Sequence, residues 1–214
     1  MAPGNDVTDR IMQAALALAS ERGWRGVSLA DIAARAELPL LEVYEAFPSK
    51  TAVLLRLIGS TDAAVLSQGP AASADSPRDR LFDLIMRRFD ALQSRRAGTV
   101  AILRDLPYDP ASLLCLAARL GRSMAWMLEA AGMSSSGCTG SVKVNGLALL
   151  YLDAIRVWMN DDSPDMARTM AAVDKGLRRA EQIARRLPSR SRRVAREPAG
   201  SEPPVEETPS APAV

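Results

Sequence analysis

Residues 28–50 read SLADIAARAELPLLEVYEAFPSK, and the order of caps, apolar positions and turn residues in this stretch decides the fold. Ser28 followed by Asp31 predicts a capping box, in which the hydroxyl takes one orphan amide and the carboxylate reaches back to the cap's own N–H. Leu29, Ile32, Ala33 and Ala36 then mark one buried face at helical spacing. Glu37-Leu38-Pro39 forms the turn, with Pro39 suited to the first position of the next helix, where its missing N–H is no loss. Leu40, Val43, Tyr44 and Phe47 continue the apolar spacing, Pro48 stops that helix, and Ser49 caps another that starts at Lys50. Two short helices, a tight turn and a third helix start are the pattern of a helix-turn-helix.

Working outward, Thr8 to Arg22 carries Ile11, Ala15, Leu18 and Ala19 at helical spacing, and Gly23 closes that helix as a left-handed cap does. Trp24 is expected to pack under the head, joining three small helices into a unit. A fourth helix from Lys50 to about Leu66, with Val53, Leu54, Leu57 and Ile58, is expected to link the head to the rest.

Ser28, Ile32, Ala33, Val43, Tyr44, Phe47 and Lys50 match in type and spacing the signature of the tetracycline-repressor (TetR) family of bacterial regulators, which this stretch therefore resembles. The resemblance implies an all-α protein with a three-helix DNA-binding head and a helical body. It also implies that the chain is a transcriptional regulator acting as a repressor on double-stranded operator DNA. In such a motif the second helix lies in the major groove while residues at helix starts hold phosphates. That makes Ser28, Tyr44 and Lys50 the expected phosphate holders, and with them Pro39, Leu40, Leu41 and Glu42 the expected DNA-binding residues. The sequence departs from the family pattern at Glu37 and Leu41, where glycines are usual, and at Glu42, Glu45 and Ala46. Residues 1–50 hold five Lys/Arg against seven Asp/Glu, a net of −2, whereas a DNA footprint is normally basic. A glutamate can accept from cytosine N4, so an acidic helix is compatible with base reading. The competing reading is a head kept only for packing.

At 214 residues the chain is long enough for a small head and a larger body. Cys115 and Cys138 are lone thiols and histidine is absent, which argues against a zinc site, a dithiol redox motif and the commonest general base. No enzyme activity, cofactor or metal is expected. No run of about twenty apolar residues offers a membrane span, and the first residues lack a signal-peptide layout, so a cytoplasmic location is expected.

The expected domains are a flexible 1–7, a head over 8–58, a ligand-binding and dimerising body over 59–187, and a disordered tail over 188–214. Residues 68–75, QGPAASAD, read as a connector. Beyond it Leu81, Leu84, Ile85, Phe89 and Leu92 form one stripe, with Arg78, Arg80, Arg87, Arg88, Arg95 and Arg96 read as a solvated face. A short helix is expected from Thr99 to Leu106, another from Pro110 to Gly132, and a loop over 134–140. Methionines suit adaptable cavities, so Phe82, Met86, Phe89, Met124, Met127 and Tyr151 are the expected lining of a pocket for a small apolar effector. Trp126 is a further candidate, and ordinary core packing is the alternative. The chain from Leu147 to Met159 is apolar nearly all round. Ser163-Pro164-Asp165 caps a last helix whose Met166, Met170, Val173, Leu177, Ala180, Ala184 and Leu187 repeat as a heptad seam. With Leu150 and Trp158, the residues Met166, Met170, Val173 and Leu177 are the expected homodimer interface, packing within one chain being the alternative. TetR-like proteins dimerise through their last two long helices, which implies the same surface. Residues 175–196 hold nine Lys/Arg against one acid, a basic stretch suited to nucleic acid or anionic lipid, with simple solubilisation as the alternative.

Asp9-Arg10-Ile11, Ala14-Ala15-Leu16, Gly23-Trp24, Asp161, Ser163-Pro164-Asp165 and Thr169 are similar to a second family, the coenzyme Q biosynthesis accessory proteins, which share the fold. That resemblance implies a lipid- or isoprenoid-binding protein without DNA binding, with peripheral contact to anionic membranes.

Overall fold

The computed structural model describes residues 3–69 and 76–186, with side chains described over 6–69 and 76–184. It is helical throughout, with no strand among the described residues. The helices are α1 (Pro3–Arg22), α2 (Leu29–Ala36), α3 (Leu40–Ala46), α4 (Lys50–Leu66), α5 (Pro77–Gln93), α6 (Arg96–Asp105), α7 (Pro110–Ala130), α8 (Gly137–Trp158) and α9 (Ala167–Arg186), with a 3-10 turn at Leu106–Tyr108 between α6 and α7.

Side-chain caps start α2, α4, α5 and α7 where the sequence places them. Ser49 accepts from the Ala52 N–H, Ser76 from Asp79 with Pro77 in the first turn, and Asp109 from Ser112 with Pro110 likewise. Gly23 (φ +78°) and Gly132 (φ +73°) take the left-handed conformation after α1 and α7, which glycine adopts without a Cβ clash. Four boundaries differ from expectation. Helix α1 already begins at Pro3, inside the stretch expected to be flexible. Helix α6 begins at Arg96, and Pro107 falls within the 3-10 turn. Helix α8 begins at Gly137 instead of after a loop to Gly140, because Ser136 is already extended as its cap. The last cap is built by Asp161. Its Oδ2 accepts from the Thr169 N–H at 2.8 Å and hydroxyl at 2.7 Å, and its Oδ1 from the Ser163 N–H at 3.2 Å. Burial works against the Asp161 charge, but these donors outweigh it and hold the carboxyl well below its usual range.

Two cores result. The head core gathers Ile11, Trp24, Ile32, Val43, Phe47 and Leu54, and Ile102 and Leu106 reach into it from the body side. The body core gathers Leu84, Ile85, Phe89, Met124, Met127 and Trp158. Helix α4 serves both, through Val53, Leu54 and Leu57 in the first and Val65 in the second.

Packing corrects two surface assignments. The arginines of α5 and α6 are not a solvated face. Arg88 is buried against Asp62, Arg78 pairs with Asp174, and Arg80 Nε donates to the Ala131 carbonyl at 2.8 Å. Arg96 donates to the Asp161 carbonyl at 3.0 Å and lies over the Trp158 ring. The seam of α9 is satisfied within the chain: Met166, Val173 and Leu177, with Trp158 of α8, lie inside the body core, and Leu150 packs against it. Side chains buried this way cannot also form a subunit surface. Met166 itself precedes α9, at φ +52°, while Met170 is half-buried and Ala180 and Ala184 are exposed. The apolar side chains that α8 and α9 leave exposed are instead Val142, Leu149, Leu152 and Ile183. Leu187, the tail over 188–214 and residues 70–75 of the connector lie outside the described residues.

Head and body meet where α1 crosses α6, and the crossing is close because it passes over a glycine. A Cβ on Gly98 would lie 2.9 Å from Leu16 Cα and nearer still to its carbonyl oxygen. Gly98→Ala should therefore cost about 1–3 kcal/mol, the usual penalty for overfilling a packed site. Gly121→Ala, in a helix interior with nothing within 4 Å of the new Cβ, should stabilise by about 0.5–1 kcal/mol. Urea unfolding of the two variants, read by helical circular dichroism, checks this opposition of sign.

Candidate nucleic-acid interface

The head presents α2, a turn and α3 on a fixed scaffold. The expected capping box is complete: Asp31 N–H donates to Ser28 Oγ at 3.1 Å, and the Ser28 N–H and hydroxyl donate to Asp31 Oδ2 at 2.8 and 2.6 Å. Those bonds, with the Arg22 guanidinium 2.9 Å away, hold the Asp31 carboxyl down at about 2.

The turn closes as a Schellman motif, with the Leu38 N–H on the Ala33 carbonyl and the Glu37 N–H on that of Ala34. It requires a left-handed residue, and Glu37 supplies it at φ +53°, ψ +45°. The family's glycine position is thus kept in backbone shape although the side chain is a glutamate. Arg10 Nη2 steadies the turn by donating to the Ala36 carbonyl at 2.5 Å and to that of Glu37 at 3.3 Å.

Helix α3 follows with Pro39 as its cap, so it starts one residue later than the sequence suggests, and the Pro39 carbonyl accepts from the Glu42 and Val43 N–H groups. Two turns of helix bury one face only. Val43 and Phe47, four residues apart, turn inward, whereas Leu40 (54% exposed), Leu41 (65%) and Tyr44 (65%) stand outward. Leu40 and Tyr44, expected in the apolar spacing, therefore face solvent. Glu42 is half-buried at the side of the helix, and Glu45 and Ala46 are exposed. Helix α3 contains neither Lys nor Arg.

Lys50 begins α4, but its ammonium is turned inward. Nζ donates to the Trp24 carbonyl at 2.8 Å and sits 4.6 Å from the centre of the Trp24 ring. Burial pushes this ammonium below its ordinary value, against the pull of Asp109, Asp105 and Asp31. Nearby, Arg25 lies over the exposed Tyr108 ring, and its N–H donates to Asp105 at 3.0 Å. Pro39, Leu40, Leu41, Glu42 and Tyr44 lie on α3 and its cap, and Ser28 caps α2. Lys50, at the start of α4, is turned to Trp24 instead.

In the body, the side chains expected to line a pocket share one core: Phe89, Met124, Met127 and Tyr151 are buried in it, and Phe82 and Met86 pack against it. Trp126 points away from it and is exposed. Two open surface grooves lie elsewhere, one along Arg96, Val100, Arg104 and Asn160 and one between Arg10, Gln13 and Arg35. The sequence reading missed a polar cluster inside this core, in which Asp62 of α4 meets Arg88 of α5 and Arg119 and Ser123 of α7. Its signal was present: Arg88 falls at the buried period of Leu84, Ile85, Phe89 and Leu92, and a charge on the apolar stripe of a helix needs a partner.

Residues 11–57 match the family model described as bacterial regulatory proteins, tetR family. The chain is 28% identical over 115 residues to the HTH-type transcriptional repressor KstR of Rhodococcus jostii (strain RHA1), a match covering 54% of either protein, so the chain spans about half the length of this relative. Its fold is that of the TetR transcriptional regulator from Nitrosomonas europaea ATCC 19718, at 26% identity and TM-score 0.66, covering 82% of this chain and 98% of that one. It is also that of Thermus thermophilus FadR, a TetR-family repressor solved with lauroyl-CoA, at 20% identity and TM-score 0.53, covering 91% and 100%. The TetR resemblance of the head is thereby borne out, and the coenzyme Q resemblance receives no support from these relatives.

Two outcomes test this local geometry. Left-handed backbone costs a residue with a Cβ about 1–2 kcal/mol, and glycine's extra chain entropy returns roughly 0.5–1 kcal/mol of that. Glu37→Gly should therefore stabilise the protein by about 0.5–1 kcal/mol in urea unfolding. The Asp31 carboxyl, depressed in the folded state, contributes stability that is full above its unfolded value near 4 and lost as pH falls through about 2. Asp31→Asn should flatten the stability profile across that window, and carboxylate titration by NMR should find Asp31 near the lower limit.

Proposed function

We propose that this chain, whose head and fold are those of the TetR family, is a DNA-binding transcriptional repressor. In this reading it acts as a cytoplasmic homodimer and responds to a small apolar effector in its body. The observation that carries the reading is the outward face of α3. Large apolar side chains are normally withdrawn from solvent, yet a helix fixed by Val43 and Phe47 holds Leu40, Leu41 and Tyr44 in the open. Apolar side chains on a groove-reading helix suit thymine methyl groups, and the Tyr44 hydroxyl suits a phosphate. Glu42, beside them, is positioned to accept from a cytosine amino group. Ser28 and Pro39, at the starts of α2 and α3, complete the backbone contacts. Lys50 acts on DNA only through the placement of the head, because its ammonium is engaged by Trp24.

Two half-sites need two heads at a fixed separation, which a dimer provides. Val142, Leu149 and Leu152 of α8 with Ile183 of α9 are the exposed apolar side chains suited to cover a second copy. Met170 is half-buried on the same helix, while Leu150, Trp158, Met166, Val173 and Leu177 support that surface from within. The effector is expected in the body core among Phe82, Met86, Phe89, Met124, Met127 and Tyr151, and the Thermus protein of the same fold was solved in complex with lauroyl-CoA. Effector binding shifts the population between head spacings, one of which fits the operator. Of the residues that carry the lipid-accessory alternative, Asp161, Ser163 and Thr169 are accounted for by the cap of α9.

Selection of genomic fragments by the purified protein, followed by sequencing, should enrich a palindrome with half-sites about one helical turn, 10–10.5 base pairs, apart. Tyr44→Ala should weaken binding to that site roughly tenfold or more, the scale of about 1.4 kcal/mol. Because the side chain is exposed, unfolding stability should move by no more than about 0.5 kcal/mol. Recovery without sequence enrichment, or unchanged affinity in Tyr44→Ala, overturns the reading.

A further inference from the structure

Of the six cations in residues 8–58, four have their N–H groups engaged inside the head. Arg10 donates to the carbonyls of Ala36 and Glu37, Arg22 pairs with Asp31, Arg35 holds both oxygens of Glu21, and Lys50 donates to the Trp24 carbonyl. Arg25 is placed differently. Its guanidinium lies over the Tyr108 ring, 4.8 Å from the centre, and no acid or carbonyl among the described residues takes its N–H groups. A cation–π contact holds a guanidinium through the face of the ring and consumes no hydrogen-bond donor, so the planar fork of N–H groups stays open. The backbone of Arg25 is fixed as well. It is the second residue of a turn closed by the Val27 N–H on the Trp24 carbonyl at 3.2 Å. Asp105 of α6 accepts the Arg25 N–H at 3.0 Å, and Asp109 is engaged by Ser112. The turn leads into α2 at Ser28, and its Trp24 carbonyl receives Lys50 from the start of α4. Helix starts are where a motif of this kind holds phosphates, and the open guanidinium stands beside two of them. Arg56 is also exposed, but it lies six residues beyond Lys50 along α4, about 9 Å at the helical rise.

We propose that Arg25 grips a phosphate of the operator backbone, making the contact from which Lys50 is turned away, and that Tyr108 is its positioning residue. This rests on the reading of the chain as a DNA-binding regulator and adds one phosphate contact to those of Ser28 and Tyr44. The chemistry suits a phosphodiester, because a guanidinium presents two parallel N–H groups to two phosphate oxygens, a geometry that an ammonium lacks. Tyr108 is 70% exposed in the 3-10 turn between α6 and α7. A large ring left in solvent has a use here: it restricts the rotamers of Arg25 before DNA arrives, which lowers the entropy lost on binding. The ring belongs to the body and the guanidinium to the head, so the contact is built jointly by the two.

Fluorescence anisotropy of the full-length protein on its selected duplex, across a salt series, tests this. Arg25→Ala should weaken binding about tenfold at low salt, the scale of one charge-assisted contact, and lower the magnitude of the salt slope by about one. Its preference for the operator over a scrambled duplex should stay within about twofold of the wild type's, because a phosphate carries no sequence information. Arg25→Lys should keep the salt slope and lose roughly threefold in affinity. Tyr108→Leu should lose roughly threefold as well, Tyr108→Phe should match the wild type within about twofold, and Tyr108→Leu should add nothing in the Arg25→Ala background. A neutral methylphosphonate placed at each backbone position in turn locates the phosphate: one position in each half-site should weaken the wild type and leave Arg25→Ala unaffected. An unchanged salt slope in Arg25→Ala, full affinity in Tyr108→Leu, additive losses in the double variant, or a methylphosphonate profile shared by wild type and Arg25→Ala each overturn the inference. A protein that selects an operator but gives any of these results loses this inference alone, whereas one that selects no DNA loses the regulator reading with it.

Discussion

Helix α4 is fixed at each end by one charged side chain, and the relation between head and body depends on that pair of anchors. At its start Lys50 holds the Trp24 carbonyl and ring; three turns on, Asp62 is held by Arg88, Arg119 and Ser123. Neither anchor is a cheap surface contact. Stranding one partner of a buried ion pair typically costs about 3–5 kcal/mol, although the intact pair adds little over apolar packing. Charges placed this way specify position more than they add stability. The same helix contributes Val53, Leu54 and Leu57 to one core and Val65 to the other. A change at either anchor is therefore felt in both halves, while the α1–α6 crossing at Gly98 keeps the head seated.

Several of the head's cations are engaged by its own acids and carbonyls. Arg22 is paired with Asp31, Arg35 with Glu21 at 2.6 Å, and Arg10 with the carbonyls of the turn. These guanidiniums are engaged within the head, although the Arg22 and Arg35 side chains stay 43% and 41% exposed. What α3 offers outward is Leu40, Leu41 and Tyr44 with acidic neighbours. Binding through such a face draws on shape and apolar base contact, and so on fewer released counterions than a basic footprint gives.

Local chemistry was the legible part of this sequence. Ser28 with Asp31, Ser49, Ser76-Pro77 and Asp109-Pro110 mark helix starts by their own hydrogen-bonding capacity, and each one caps a helix as read. Even Glu37 kept the left-handed shape expected of a glycine, because the Schellman closure and Arg10 determine the backbone there. What periodicity could not give was the partner of each face. The α9 seam repeats as a heptad whether it meets a second subunit or its own body, and Val173 and Leu177 meet their own body. The arginines of α5 looked like a solvated face because a one-dimensional pattern does not show that Asp62, 26 residues away, lies opposite Arg88. Lys50 matched a motif by type and spacing, while its direction was decided by an indole that only the fold brings near.

The central claim is that the α2–α3 surface, and not the basic end of α9, reads DNA. Amide hydrogen exchange of the protein with and without its selected duplex measures this residue by residue. Slowed exchange concentrated at residues 28–50, with residues 175–184 unchanged, is the predicted result. Protection confined to α9, with α2 and α3 exchanging as in the free protein, would contradict it.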